Sequence, residues 1–161
     1  MSAAGMRLRP ADAGDCEALW RWRNDPETRR ASFDEREVPL DVHARWFEGV
    51  LGDADRRLYV IEVEAAAVGM VRLDLQGRAA VVSINLAPEW RGKGLGLEAL
   101  RRLGREAFDV LGLERLIARV KGQNLASLAT FERAGYRPRP SGAAGPTVEL
   151  VCERPAAGAR P

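Results

Sequence analysis

Apolar and polar residues alternate at the start of the chain, and Met6-Arg7-Leu8-Arg9-Pro10 predicts a short strand ending at proline. Asp12 and Asp15 are suitable N-caps for a helix through Leu19, Trp20 and Arg23, which Asn24-Asp25-Pro26 breaks. A short helical turn around Glu27 to Arg30 and a charged loop from Ser32 to Val38 follow. Pro39 to Val50 has helical spacing, with Val42, Trp46, Phe47 and Val50 on one stripe. After a turn at Gly52 to Asp55, Arg57 to Glu64 and Val68 to Leu75 predict a hairpin. Ala79 to Leu86 predicts a third consecutive strand, with Val81, Ser83 and Asn85 on one side and Val82, Ile84 and Leu86 on the other. A glycine-rich loop opens a helix to about Val110, with Leu100, Leu103, Ala107 and Leu111 at helical spacing. Arg115 to Val120 predicts a strand, and Asn124 to Ala134 a helix closed by Gly135. Tyr136 to Arg139 and Thr147 to Glu153 predict the last two strands.

This order, with no repeat or linker, implies one α/β (α+β) domain over residues 1–154, and a disordered tail is expected over 155–161. Hydrophobic residues make up 46% of the 161 and charged residues 30%, which suits a globular chain. A net charge of only +2 argues against a nucleic-acid binder. Cys16 and Cys152, at opposite ends of the chain, make neither a disulfide framework nor a metal-ligand set. Met1 to Gly5 has no signal-peptide core, and no apolar run is long enough to span a bilayer, so a cytoplasmic protein without a membrane is expected.

Pro88-Glu89-Trp90-Arg91-Gly92-Lys93-Gly94-Leu95-Gly96 lies between a predicted strand and a helix. The first N–H groups of a helix lack internal partners, and its dipole favours an anion there. Glycines let the backbone approach phosphate oxygens, and Arg91 and Lys93 add positive charge. A Walker loop needs a hydroxyl where Leu95 stands. A dinucleotide loop needs an acid beyond the following strand, and Glu114 precedes that strand. A plain glycine turn before a solvated helix would show the same glycines. The second constellation, Asn124 to Tyr136, puts Asn124, Ser127 and Phe131 on one helix face.

Together the two segments resemble the GNAT superfamily of acyl-CoA-dependent N-acetyltransferases, with its Arg/Gln-x-x-Gly-x-Gly/Ala loop and its Asn-x-x-Ser/Ala helix ending in Gly-Phe or Gly-Tyr. The resemblance covers nearly the whole chain in element order. It implies a twisted mixed sheet, splayed between strands four and five and flanked by helices. It implies acetyl-CoA as cosubstrate and no metal. The pantetheine arm would pair with Ile84, Asn85 and Leu86, and the pyrophosphate would sit on Arg91, Gly92, Lys93, Gly94, Leu95 and Gly96. Asn124 would touch the pantetheine or acetyl region, beside Phe131. A small-molecule amine would be the acceptor, and a homodimer is left open. Trp22-Arg23-Asn24-Asp25-Pro26 with Val42-His43-Ala44-Arg45-Trp46-Phe47 further resembles amino-sugar-nucleotide N-acetyltransferases of the pseudaminic-acid type, and is compatible with the ribosomal-protein N-terminal branch.

Acetyl transfer to an amine needs positioning, a donor at the oxyanion and a base. A backbone N–H near Leu86 is the natural oxyanion donor. Many relatives carry tyrosine where Phe131 stands, and phenylalanine donates no proton. Ser127 is the substitute donor, with solvent as the alternative; Tyr59 and Tyr136 are the only tyrosines. His43 is the only histidine and is either the base or a structural or exposed ring, with Asn124 beside the reacting group; Glu35 and Glu37 are further candidates for the base, and Ser83 and Asn85 either hold a water chain or are ordinary polar strand residues. Trp22, Trp46 and Phe47 are either core or the floor of a sugar or base pocket, and Arg23, Arg29 and Arg30 either meet a diphosphate or face solvent. The competing functions are a protein N-terminal or aminoglycoside N-acetyltransferase and a non-catalytic acyl-CoA-binding module.

Overall fold

A computed structural model describes residues 5–140 and 146–156. The order is β1 (Met6–Pro10), α1 (Cys16–Asn24), α2 (Pro26–Ala31), α3 (Leu40–Leu51), β2 (Arg56–Val63), β3 (Ala66–Gln76), β4 (Ala79–Leu86), α4 (Leu95–Arg105), β5 (Arg115–Lys121), α5 (Leu125–Arg133), β6 (Arg137–Pro138) and β7 (Thr147–Glu153). The strands form one sheet ordered β1-β2-β3-β4-β5-β7-β6. Of the tail expected from residue 155, residues 157–161 lie outside the described residues, and Pro155 and Ala156 are neither helix nor strand. Among the described residues no helix is long and apolar enough to cross a membrane.

The central feature of the sheet is a break. Neighbouring strands β2, β3 and β4 are antiparallel along their lengths. β4 and β5 are parallel, and they pair only from Ala79–Arg115 to Val81–Ile117. On its other side β5 pairs with β7 along its whole length, from Arg115–Glu153 to Lys121–Thr147. The second half of β4, Val82 to Leu86, keeps β3 on one side and has an open edge on the other. The Ala87 amide donates to the Val68 carbonyl at 2.8 Å, which fixes the alternation of antiparallel pairs. By that alternation the N–H and C=O groups of Val82, Ile84 and Leu86 point to the open edge.

Packing explains why the break persists. One face of α4 buries Leu95, Ala99, Leu100 and Leu103 against the sheet. Each fully buried leucine contributes roughly 1.5–3 kcal/mol. The helix widens into a π turn at Glu106–Val110, closed by the Leu111 amide on the Glu106 carbonyl at 3.0 Å. On the opposite face, α1 and α3 pack Leu19, Trp22, Phe47 and Val50 onto Leu58, Val60 and Met70.

Three expectations need correction. The buried stripe of α3 is His43, Phe47 and Val50, while Val42 is exposed and Trp46 half-buried. The i, i+4, i+7 spacing from His43 puts a polar ring in the core, which hydropathy alone does not anticipate. The strand expected over Tyr136 to Arg139 shrinks to Arg137–Pro138, because Tyr136 is withdrawn into the core against Phe131. The predicted hairpin is longer at its second strand, which starts at Ala66.

Candidate active site

The start of α4 lies beside the open end of β4. A turn of 3-10 helix, Pro88–Trp90, leads into the glycine loop. Gly92 and Gly94 both have positive φ, 72° and 77°, where a side chain is strained. Gly94 is the N-cap residue, and α4 has no side-chain cap. A Cβ on Gly92 or Gly94 would meet no protein atom within 4 Å, so their Cα atoms face open space. Gly96 lies between Leu86 and Thr130, the facing residues of β4 and α5. Unsatisfied amides, open space and an unpaired strand edge thus adjoin one another. They fit an anion at the helix mouth with an extended amide chain running along β4.

The loop's two cations are placed differently. Lys93 is exposed. Arg91 turns to α2 instead: it pairs with Asp25 at 2.9 Å and Glu27 at 2.7 Å, and donates to the Thr28 hydroxyl at 2.6 Å. Thr28 in turn donates to the Asn85 side-chain carbonyl at 3.1 Å. Burial pushes the Asp25 carboxyl up, but the Thr28 amide and Arg91 outweigh it and hold it below the usual range. The Arg91 side chain thus ties the loop to α2 through Asp25, Glu27 and Thr28. Leu95 is also part of the core by its side chain, leaving only its backbone to the loop.

Between the open edge of β4, α5 and the α1–α3 layer lies a cavity of about 510 Å³. Ile84 and Asn85 line it from β4, and Asn124, Ser127 and Phe131 from α5. Asn124 caps α5 by accepting from the Ser127 amide at 3.2 Å. Phe131 is buried edge-on to Tyr136, with ring centroids 5.0 Å apart. The Tyr136 hydroxyl is buried, and burial raises its pKa far above the ordinary phenol value, so it is a poor proton donor. Tyr59 is likewise buried and pushed up to about 12, chiefly by burial.

His43 reaches the cavity from α3. Its ring lies 5.5 Å from Trp46 and 6.1 Å from Phe47 between centroids. Nε2 is 3.0 Å from the Cys16 carbonyl, which assigns the hydrogen of the neutral ring to Nε2 and leaves Nδ1 as the acceptor. Burial lowers the His43 pKa below 6.5, against the opposing pull of the Cys16 carbonyl, and Arg23 lowers it further. The imidazole is therefore neutral near pH 7.

Other candidates move out of the site. Glu35 pairs with Lys121 at 2.9 Å and Glu37 with Arg29 at 3.7 Å, and neither lines the cavity. Arg29 and Arg30 do not line it, and Arg29 also donates to the Glu35 carbonyl. Of the aromatic trio, only Trp46 lines this cavity; Phe47 is core, and Trp22 borders a separate hollow. Ser83 lines the cavity. Sequence reasoning missed Thr28, Asp34, Arg72 and Arg119, which come to the wall from distant segments with no local signature.

The Acetyltransferase (GNAT) domain matches residues 6–137. Over 139 residues the chain is 32% identical to the putative phosphinothricin acetyltransferase YwnH of Bacillus subtilis, covering 81% of this chain and 83% of that protein. Over 138 residues it is 25% identical to the spermidine N(1)-acetyltransferase of Escherichia coli K12, covering 84% of this chain and 74% of that protein. The fold is shared with the spermidine N-acetyltransferase of Vibrio cholerae, solved with CoA and spermine, at a TM-score of 0.86, 20% identity, and coverage of 94% of this chain and 96% of that one. The splayed sheet and the match over most of its length show that this chain belongs to the acetyltransferase (GNAT) domain family and is an acetyl-CoA-dependent N-acetyltransferase of that type.

Proposed function

We propose that the enzyme acetylates the primary amine of a small molecule lodged in the cavity between β4, α5 and α3. The observation that carries this reading is the adjacency of an uncapped helix start to the open edge of β4, with a cavity beyond it. The pyrophosphate of acetyl-CoA sits on the amides of Gly92 to Gly96, with Lys93 beside it. The pantetheine arm pairs with Ile84 and Leu86 and passes Asn124.

Acetyl-CoA supplies an activated thioester. The chain's own groups do the rest. The Leu86 N–H, on the open edge, faces the carbonyl oxygen as its charge grows. His43 Nδ1 takes the proton that the attacking amine gives up, directly or through a water held by Ser83. The new C–N bond forms as the C–S bond breaks, and the electron pair leaves on sulfur. Ser127 donates to that sulfur directly or through water, in place of the hydroxyl that Phe131 lacks. Asp34 is a weaker choice of base, since hydrogen bonds from the Arg36 side chain and amide hold its carboxyl well below the usual range.

The narrower reading, an amino-sugar nucleotide as acceptor, rests on the likeness of Trp22 to Pro26 and Val42 to Phe47. Its diphosphate would need cations in the cavity. Arg29 and Arg30 are outside it, and Arg23 is inside. Polyamines are the alternative that the names of the spermidine relatives raise.

A free-thiol assay with acetyl-CoA and a panel of small amines tests the reading. Amine-dependent thiol release with a matching N-acetyl product is expected. Cofactor binding without release for any amine would favour the acyl-CoA-binding module instead.

A further inference from the structure

The ionisable groups on the cavity wall are Arg23 from α1, Asp34 from the loop before α3, the neutral His43 from α3, Arg72 from β3 and Arg119 from β5. Asp34 gives both carboxylate oxygens to Arg36, at 3.0 and 2.8 Å. Arg72 pairs with Asp74 at 3.0 Å and lies 5.4 Å over the Trp46 ring. Arg119 pairs with Glu149 at 3.3 Å. Arg23 differs from these two arginines. Its Nη2 donates to the Asp34 backbone carbonyl at 2.8 Å, while its Nη1 is buried with no hydrogen-bond partner among the described residues. Among those residues it makes an ion pair with none.

A guanidinium N–H buried without an acceptor is costly, and the cost is recovered when an anion arrives. We propose that Arg23 receives an acid group carried by the acceptor, so that the substrate is an amine that also bears a carboxylate or a phosphate. This rests on the transferase reading above and narrows its acceptor. Arginine suits the task, because its planar fork presents parallel donors to a carboxylate or phosphate. Its Nη2 bond to the Asp34 carbonyl fixes the guanidinium before substrate arrives. A polyamine such as spermidine meets the wrong sign of charge at Arg23, the wall arginine left without a carboxylate once Arg72 is matched by Asp74 and Arg119 by Glu149.

Matched probes separate the outcomes. The full chain is assayed by thiol release with L-methionine against L-methioninamide, glucosamine 6-phosphate against glucosamine, and spermidine. The acid-bearing member of at least one pair is expected to show kcat/KM about tenfold or more above its neutral partner and above spermidine. The methionine pair reports a carboxylate and the glucosamine pair a phosphate. Arg23→Gln should bring that ratio to within about threefold, by raising KM for the acid, and Arg23→Lys should restore most of it. A role for Arg23 only in holding the loop at Asp34 would lower both members together and leave the ratio intact, which overturns the proposal. Spermidine or a neutral amine matching or exceeding every acid also overturns it, while leaving the transferase reading in place. No thiol release above the amine-free background with any of these amines sinks both.

Discussion

Gly69 of β3 lies so close to Asn85 of β4 that a Cβ there would sit 2.5 Å from the Asn85 carbonyl oxygen and 2.9 Å from a Leu86 methyl. The contact is with backbone, so it cannot be relieved by a side-chain rotation. The carboxyl end of β4 is drawn onto β3 at the very residues that border the open edge.

Gly69→Ala should therefore displace Asn85 and Leu86 and disturb the oxyanion donor. Overpacking of this kind costs about 1–3 kcal/mol. The activity should fall by more than the folded fraction explains, which thiol release and a thermal melt on the same sample would show. Full kcat/KM in a folded Gly69→Ala protein would mean that β4 tolerates the shift.

His43 makes a pH prediction of definite sign. Its folded pKa is lowered below 6.5 by burial, so the folded state binds fewer protons than the unfolded chain at mildly acidic pH. The stability this confers is complete above 6.5 and is lost as pH falls from 6.5 through the folded pKa. His43→Gln keeps a donor for the Cys16 carbonyl and removes the Nδ1 acceptor. The melting temperature of the variant should lose this part of its acid dependence. If His43 is the base, kcat should also fall by about 10²–10⁴-fold, and the acid limb of the pH–rate profile should vanish. An unchanged limb would assign the base elsewhere.

Arg91 is held by Asp25 and Glu27, and Glu27 is the more exposed of the two carboxylates. Glu27→Gln should leave more of the Arg91 charge available to the neighbouring loop. CoA should bind about twofold to fivefold more tightly at low salt, in keeping with up to about 1 kcal/mol for such a pair, and the gain should fade as salt is added. Calorimetry at two ionic strengths checks it. Weaker binding would mean that docking α2 onto the loop matters more than the freed charge.

Gly94→Val should strain the left-handed N-cap at φ 77° by roughly 1–2 kcal/mol. No protein atom lies within 4 Å of the added Cβ, so the fold has room for it. A phosphate at the helix mouth would not. CoA affinity should drop by about tenfold or more, equivalent to losing roughly one charge-assisted hydrogen bond of 1.5–3 kcal/mol. Unchanged affinity in a folded variant would remove the pyrophosphate from this loop.

Much of the fold was legible because local periodicity and burial agree. Of the expected stripe, Leu100 and Leu103 on α4 and Ala107 in the π turn are buried as their spacing requires, while Leu111 follows the turn and is half-buried. β4 spans Ala79–Leu86, the range its alternation gives. Gly135, with φ 99°, closes α5 where its position after Ala134 suggests. What stayed hidden is tertiary. Arg91 meets Thr28 across 63 residues, and nothing near either position marks the partner. The buried phase of α3 was misjudged because His43 enters the core through one hydrogen bond to Cys16, which no hydropathy pattern records. Nothing in the sequence around Gly69 marks its role, since only the register with β4 reveals the close approach.

A diffraction experiment on crystals grown with CoA tests the central claim most directly. The pyrophosphate oxygens are expected within hydrogen-bond distance of the Gly92 to Gly96 amides, and the pantetheine amides against the unpaired edge of Ile84 and Leu86. Density for the pyrophosphate at any other part of the surface, or a pantetheine arm that leaves the β4 edge unpaired, would contradict it.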